Sequence, residues 1–168
     1  LRRAALGVIR MLIENRLRAV GSASERLRED PLRILRMVRF GPAQNRGVAA
    51  DLLEAAKQHR RLLGQVSIER VRSELERILL SVNQREAFRL MQALGLLEIF
   101  LPELLPAVGF EQNEFHTHDV FEHTLDVLQA SPPDLIQRLA ALFNDIGKPH
   151  TLSVDSAGRR HCYDHEVR

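Results

Sequence analysis

The chain has 168 residues, a formal net charge of +2 and 45% hydrophobic residues, enough for one domain or two small ones around a buried core. It has no Trp and a single cysteine, Cys162, which excludes an internal disulfide, fits a reducing cytoplasm and, with little Gly, favours helix over sheet. No apolar run approaches the roughly 20 residues of a membrane-spanning helix, and no signal-peptide pattern opens the chain, so no membrane partner is expected.

Residues 1–20 carry apolar positions Leu1, Ala5, Val8, Ile9, Leu12, Ile13 and Leu17, a spacing that predicts a helix stopped near Gly21. After "GSAS", Asp30 and Pro31 read as an N-cap and the first position of a helix, "PLRILRMVRF", that Gly41 and Pro42 should end. Further helices are expected over 48–63 and from Ser67 through "SIERVRSELERILL", where Arg70 stands at the position a capping box gives to Glu. Helical register continues over 84–94 and 96–101 around Gly95, then breaks in "PELLPAVGFEQNEF". Helices over 118–130 and 133–146 follow, joined by Ser131, Pro132 and Pro133. The β-branched residues around "DSAG" suit a small hairpin or a plain loop within 151–163. The expected fold is all-α, an array of short helices in three regions: 1–63, 64–110 and 111–168.

Charge is uneven along the chain. Residues 1–72 hold 16 Lys/Arg against 7 Asp/Glu, a balance of +9, and residues 73–168 hold 8 against 15, a balance of −7. A basic half suits a polyanion such as RNA, and an acidic, His-containing half suits a metal; a solvated helical surface explains the same numbers. Within the basic half, Glu29, Asp30 and Arg33 form E-D-x-x-R. Glu29 and Arg33, four apart, can pair across one turn and hold the guanidinium still. A fixed carboxylate beside a fixed guanidinium complements adenine and cytosine, which present an amino donor next to a ring-nitrogen acceptor, and mismatches guanine and uracil. Arg36 and Arg39 continue at three-residue steps, and with Arg28 they suit phosphates. Taken alone, the motif reads first as a capping Asp beside a solvated arginine face.

The stretch "LRAVGSASERLREDPLRILRMVRF" resembles the neck of bacterial tRNA nucleotidyltransferases, the CCA-adding and poly(A) polymerase family. The likeness continues through "VSIERVRSELERILLS" and "LGLLEIFLPEL" and resumes at "FHTHDVFEHTLDVL" and "LAALFNDIGKP", covering roughly 15–166 in order. The resemblance implies a neck and body followed by a truncated HD-type domain. It implies that Glu29, Asp30 and Arg33 select CTP and ATP, with Arg36 beside them, while Arg28 and Arg39 meet triphosphate or the 3′ end of tRNA. Where relatives continue a helix, this chain has "RFGPAQNRGVAAD". The family's catalytic head uses a Gly-rich loop and paired carboxylates that hold Mg2+. No Gly-Gly or Asp-x-Asp occurs here, so no catalytic residue is expected in this chain, which reads as the neck, body and HD portion of a longer enzyme or as a decayed copy.

Six of the seven histidines lie between 116 and 165. Imidazoles and a carboxylate converging from separate helices would make a mixed nitrogen and oxygen site for a divalent metal able to activate water. The order resembles the HD superfamily of phosphohydrolases, which implies His123, Asp145 and His165 as ligands, with Asn144 in place of a histidine. An amide oxygen replaces imidazole poorly for borderline metals, so a weak or vestigial site is expected. Lys148 suits either a phosphate or the end of the preceding helix. Cys162 is equally a packing residue or a ligand, and His116 and His118 read as surface or capping groups. The alternatives to a nucleotidyltransferase part are a metal-dependent HD phosphohydrolase acting on nucleotides or cyclic phosphodiesters, and a non-catalytic RNA-binding helical module.

Overall fold

In the computed structural model, which describes residues 9–12, 15–111, 119–154 and 160–162, helices dominate and sheet is confined to very short strands. The chain divides into two units, Leu1–Ile99 and Phe100–Arg168.

The first unit opens with a correction. Instead of one helix over 1–20, strand β1 (Ile9–Leu12) runs antiparallel to β2 (Arg16–Ala19), pairing Ile9 with Ala19 and Leu12 with Arg16. Asn15 adopts a left-handed φ of 54° between them. The reason lies in β2, where "RLRA" alternates exposed Arg16 and Arg18 with Leu17, only 2% exposed. A period of two suits a pleated strand and not a helix. Strand β3 (Gly47–Val48) joins β2 in parallel.

Helices α1 (Ala23–Glu29), α2 (Arg33–Phe40), α3 (Ala50–His59), α4 (Ile68–Leu79) and α5 (Gln84–Ala93) pack around one core. Helix α2 is its centre. Ile34, Leu35, Met37 and Val38 are fully buried, while Arg33, Arg36 and Arg39 line its partly exposed side, the division expected of an amphipathic helix. It ends at Gly41, as its sequence predicts, and gives way to a 3₁₀ turn over Pro42–Gln44. Gly41 leaves no room for a side chain, because a Cβ there would lie 2.7 Å from Val48 Cγ2 and 2.8 Å from the Met37 carbonyl. Helix α3 continues as a 3₁₀ turn over Arg60–Gln65. Asn83 caps α5 by accepting from the Glu86 amide at 3.2 Å. At the far end Gly95 (φ +70°) lets its own N–H reach the Gln92 carbonyl at 2.9 Å and the Leu96 N–H reach Met91 at 2.8 Å, a Schellman closure.

A second correction concerns Asp30. It closes α1 instead of capping α2: its backbone is extended (φ −144°), and Leu32 occupies the N-cap position of α2. The Asp30 carbonyl still accepts the Arg33 N–H at 3.0 Å, so the Asp30-Pro31 bend turns the chain directly from α1 into α2. The side chain, drawn to two guanidinium groups, is not used as a cap.

The second unit holds a 3₁₀ turn over Pro102–Ala107 and helices α7 (Val120–Ala130) and α8 (Leu135–Phe143). Strands β4 (Leu152–Val154) and β5 (Arg160–Cys162) pair antiparallel where the sequence suited either a small hairpin or a plain loop. Helix α6 (Leu97–Phe100) falls at the division between the units. Asp119 caps α7 through the Glu122 amide at 2.7 Å, and Asp134 caps α8 through Gln137 at 3.0 Å. Val120, Phe121, Leu125, Leu128 and Leu142 supply the core. No helix of the described residues is long and apolar enough to cross a membrane.

Candidate functional site

The junction of α1 and α2 gathers the charged residues of the E-D-x-x-R stretch. Glu29 Oε2 lies 3.0 Å from Arg33 NH1, the pairing across one turn that the spacing predicts, and Arg26 NH1 reaches the same oxygen at 3.0 Å. Arg33 NH1 also donates to the Arg26 carbonyl at 2.7 Å. These guanidinium hydrogen bonds, Arg33 first and Arg26 second, hold the Glu29 carboxyl below its ordinary range. The clamp keeps Arg33 in one place on the protein surface.

The Asp30 carboxylate lies in a different set of contacts. Its Oδ2 accepts from Arg36 NH1 at 3.2 Å, and its Oδ1 accepts from Arg70 NH2, on α4, at 3.2 Å. Asp30 and Arg33 are thus adjacent through the backbone, but their charged ends are held by different partners. Arg36 and Arg39 both turn to Glu74, a carboxylate 3% exposed on α4. Arg39 Nε reaches Glu74 Oε2 at 2.6 Å and Arg36 Nε reaches Oε1 at 3.4 Å, with Arg77 NH1 at 3.6 Å. Arg39 also stacks its guanidinium 3.9 Å from the centre of the Phe40 ring. A buried carboxylate is costly unless paired, and here α2 supplies the pairing. Asp30, Arg36, Glu74 and Arg70 therefore close a circuit between α2 and α4, since Arg70 and Glu74 lie one turn apart on the same helix.

Beside this circuit is a cavity of about 350 Å³ lined by Arg28, Glu29, Asp30 and Arg70, together with residues of the 3₁₀ turn and the start of α4. That volume falls within the range of small-molecule sites. Arg28 is exposed at its edge. Sequence reasoning missed Arg26, Arg70 and Glu74 as members of the site. The one local signal was Arg70 itself, which stands where a capping Glu would serve. Ser67 occupies the N-cap position of α4 without a side-chain capping hydrogen bond, which fits the lack of a reciprocal Glu.

The second unit brings His123 and Asp145 together. Asp145, 4% exposed just beyond α8, accepts the Lys148 ammonium on Oδ2 at 2.7 Å, and His123 Nε2 lies 3.7 Å from the same oxygen. Its Oδ1 accepts from Asn144 Nδ2 at 2.9 Å. Burial pushes the Cys162 thiol up, opposed by the Lys148 charge and reinforced by that of Asp145. His165, His116 and His118 lie outside the described residues. Among the described residues no cluster of three His, Cys, Asp or Glu side chains is arranged to hold a metal ion. An ammonium already occupies the oxygen nearest His123, and Asn144 turns an N–H donor toward the carboxylate.

Known proteins resemble this chain in sequence and in overall structure. Residues 48–108 match the family model described as a probable RNA and SrmB-binding site of polymerase A. The chain is 36% identical over 176 residues to the A-adding tRNA nucleotidyltransferase of Deinococcus radiodurans, covering 95% of this chain and 37% of the relative. It is 39% identical over 142 residues to the CC-adding tRNA nucleotidyltransferase of Thermus thermophilus, covering 78% and 32%. The crystal structure of the Bacillus stearothermophilus CCA-adding enzyme in complex with CTP superposes with a TM-score of 0.54 at 30% identity, covering 71% of this chain and 27% of that one. The chain thus spans about a third of the length of the curated relatives it matches.

Proposed function

We propose, from the premise that this chain belongs to the tRNA nucleotidyltransferase family, that it is the part of such an enzyme that selects CTP or ATP and binds the 3′ end of tRNA. The observation that carries this reading is the Asp30 carboxylate, fixed at the wall of a cavity of about 350 Å³ near the Glu29–Arg33 ion pair. An acceptor and an immobile donor at neighbouring points complement the amino group and ring nitrogen that cytosine and adenine share. Guanine and uracil, with a carbonyl beside N–H, would set acceptor against acceptor and leave polar groups unpaired, at a cost that builds selectivity.

Arg28 at the cavity edge supplies a cation for triphosphate or RNA backbone. In this reading Arg36 and Arg39 act mainly through Asp30 and Glu74. Nucleotidyl transfer itself would fall to a head domain with carboxylate-held Mg2+, so this chain alone is inactive in that reaction, and the setting is cytoplasmic tRNA processing. The hydrolase alternative has less support, since among the described residues it rests on His123 and Asp145 alone.

The test is the nucleotide preference of the complete protein carrying Arg33→Ala. Preference for CTP and ATP over UTP and GTP should fall by about tenfold or more, the size of one lost bidentate contact. An unchanged preference removes the role assigned to this motif.

A further inference from the structure

Resting on the reading above, we propose that Arg70 of α4 is a further specificity-determining residue, one that positions the Asp30 carboxylate for the incoming base. Arg70 lies 40 positions from Asp30 in sequence, yet its NH2 donates to Asp30 Oδ1 at 3.2 Å. With Arg28 it is one of two guanidinium groups on the cavity wall beside Asp30, and of the two it is the one that bonds the Asp30 carboxylate, whereas Arg33 is drawn toward Glu29 and the Arg26 carbonyl.

A carboxylate on a single exposed bend can swing about its side-chain bonds, and a swinging acceptor discriminates poorly between bases. Asp30 is held on both oxygens from two different helices: Arg36 of α2 on Oδ2 and Arg70 of α4 on Oδ1. Each carboxylate oxygen has two acceptor sites, so one guanidinium contact per oxygen fixes the plane of the group and leaves capacity for an amino group of cytosine or adenine. Arg36 is itself anchored to the buried Glu74. Arg70 has no such anchor and is 51% exposed, so it is the adjustable half of the clamp. The guanidinium fork sets direction in a way an ammonium cannot, so the arginine itself matters, beyond its charge.

The experiment compares Arg70→Ala, Arg70→Lys and Asp30→Ala in the complete protein, measuring KM and kcat for each of the four nucleoside triphosphates alongside the unfolding temperature. The expected result is a fall of about tenfold in the preference of Arg70→Ala for CTP and ATP over UTP and GTP. The unfolding temperature should hold, and Arg70→Lys should recover only part of the preference. If Asp30→Ala loses selection while Arg70→Ala keeps it, the positioning role is wrong and the wider reading survives. If Asp30→Ala itself keeps selection, the wider reading falls. A loss in Arg70→Ala spread equally over all four nucleotides marks a purely structural arginine and overturns the proposal.

Discussion

Arg39 Nε meets Glu74 Oε2 at 2.6 Å across the contact between α2 and α4, joining a residue that reads as surface charge to a carboxylate sealed in the core. The pair explains why α2 can carry three arginines along one side while its other side is fully buried. Glu74 is the residue on which that side of the helix closes.

Glu74→Ala should therefore destabilise the protein by about 3 kcal/mol, because it leaves guanidinium groups of Arg36 and Arg39 without their buried counter-charge. Glu74→Gln, which keeps the shape and one acceptor, should cost less. Chemical denaturation checks both. Equal stability of wild type and Glu74→Ala would show that the circuit contributes nothing to the fold.

Gly95→Ala tests the closure of α5. A Cβ at φ +70° is strained and would lie 3.1 Å from Arg60 Nε. A loss of about 1–2 kcal/mol is expected in denaturant melts, with the helical signal of the folded state unchanged.

Glu29 gives a pH-dependent prediction. Its carboxyl is held below the ordinary range by Arg33 first and Arg26 second. A carboxyl depressed in the folded state adds stability above its unfolded-state value, and that contribution is lost as pH falls through the folded value. The Glu29–Arg33 pair should persist below the pH at which free carboxylates protonate. An NMR titration of the Glu29 side chain should give a midpoint below that of glutamate in an unstructured peptide, and the difference should shrink in Arg33→Ala, where Arg26 still contributes.

In the second unit, Lys148 neutralises Asp145 directly. Lys148→Met should lower the unfolding temperature by several degrees, since the carboxylate is buried and loses its cation. Mn2+ or a chelator should leave the wild-type unfolding temperature unchanged. A clear rise with Mn2+ would show that a cation binds despite the ammonium.

Much of this was legible in the sequence, and what was not follows a physical rule. Gly41 and Gly95 announce themselves through neighbours in the chain, because caps and breaks are local. The Glu29–Arg33 pair is local too, set by one helical turn. The first strands were hidden because the apolar residues of 1–20 fit a helical spacing, and only "RLRA" carries the competing period of two. Partners were hidden for a different reason. Asp30 reads as a cap until Arg70 arrives from 40 residues away, and Arg39 reads as a phosphate contact until Glu74 arrives from 35 away. No periodicity encodes such meetings, and a side chain's job depends on what packs against it.

The most direct measurement of the central claim is a crystal structure of the complete protein with CTP. The account predicts the cytosine amino group within about 3 Å of an Asp30 oxygen, with a guanidinium donating to the ring nitrogen at a similar distance. Cytosine bound away from Asp30, or an Asp30 carboxylate whose contacts are the same with UTP as with CTP, would contradict it.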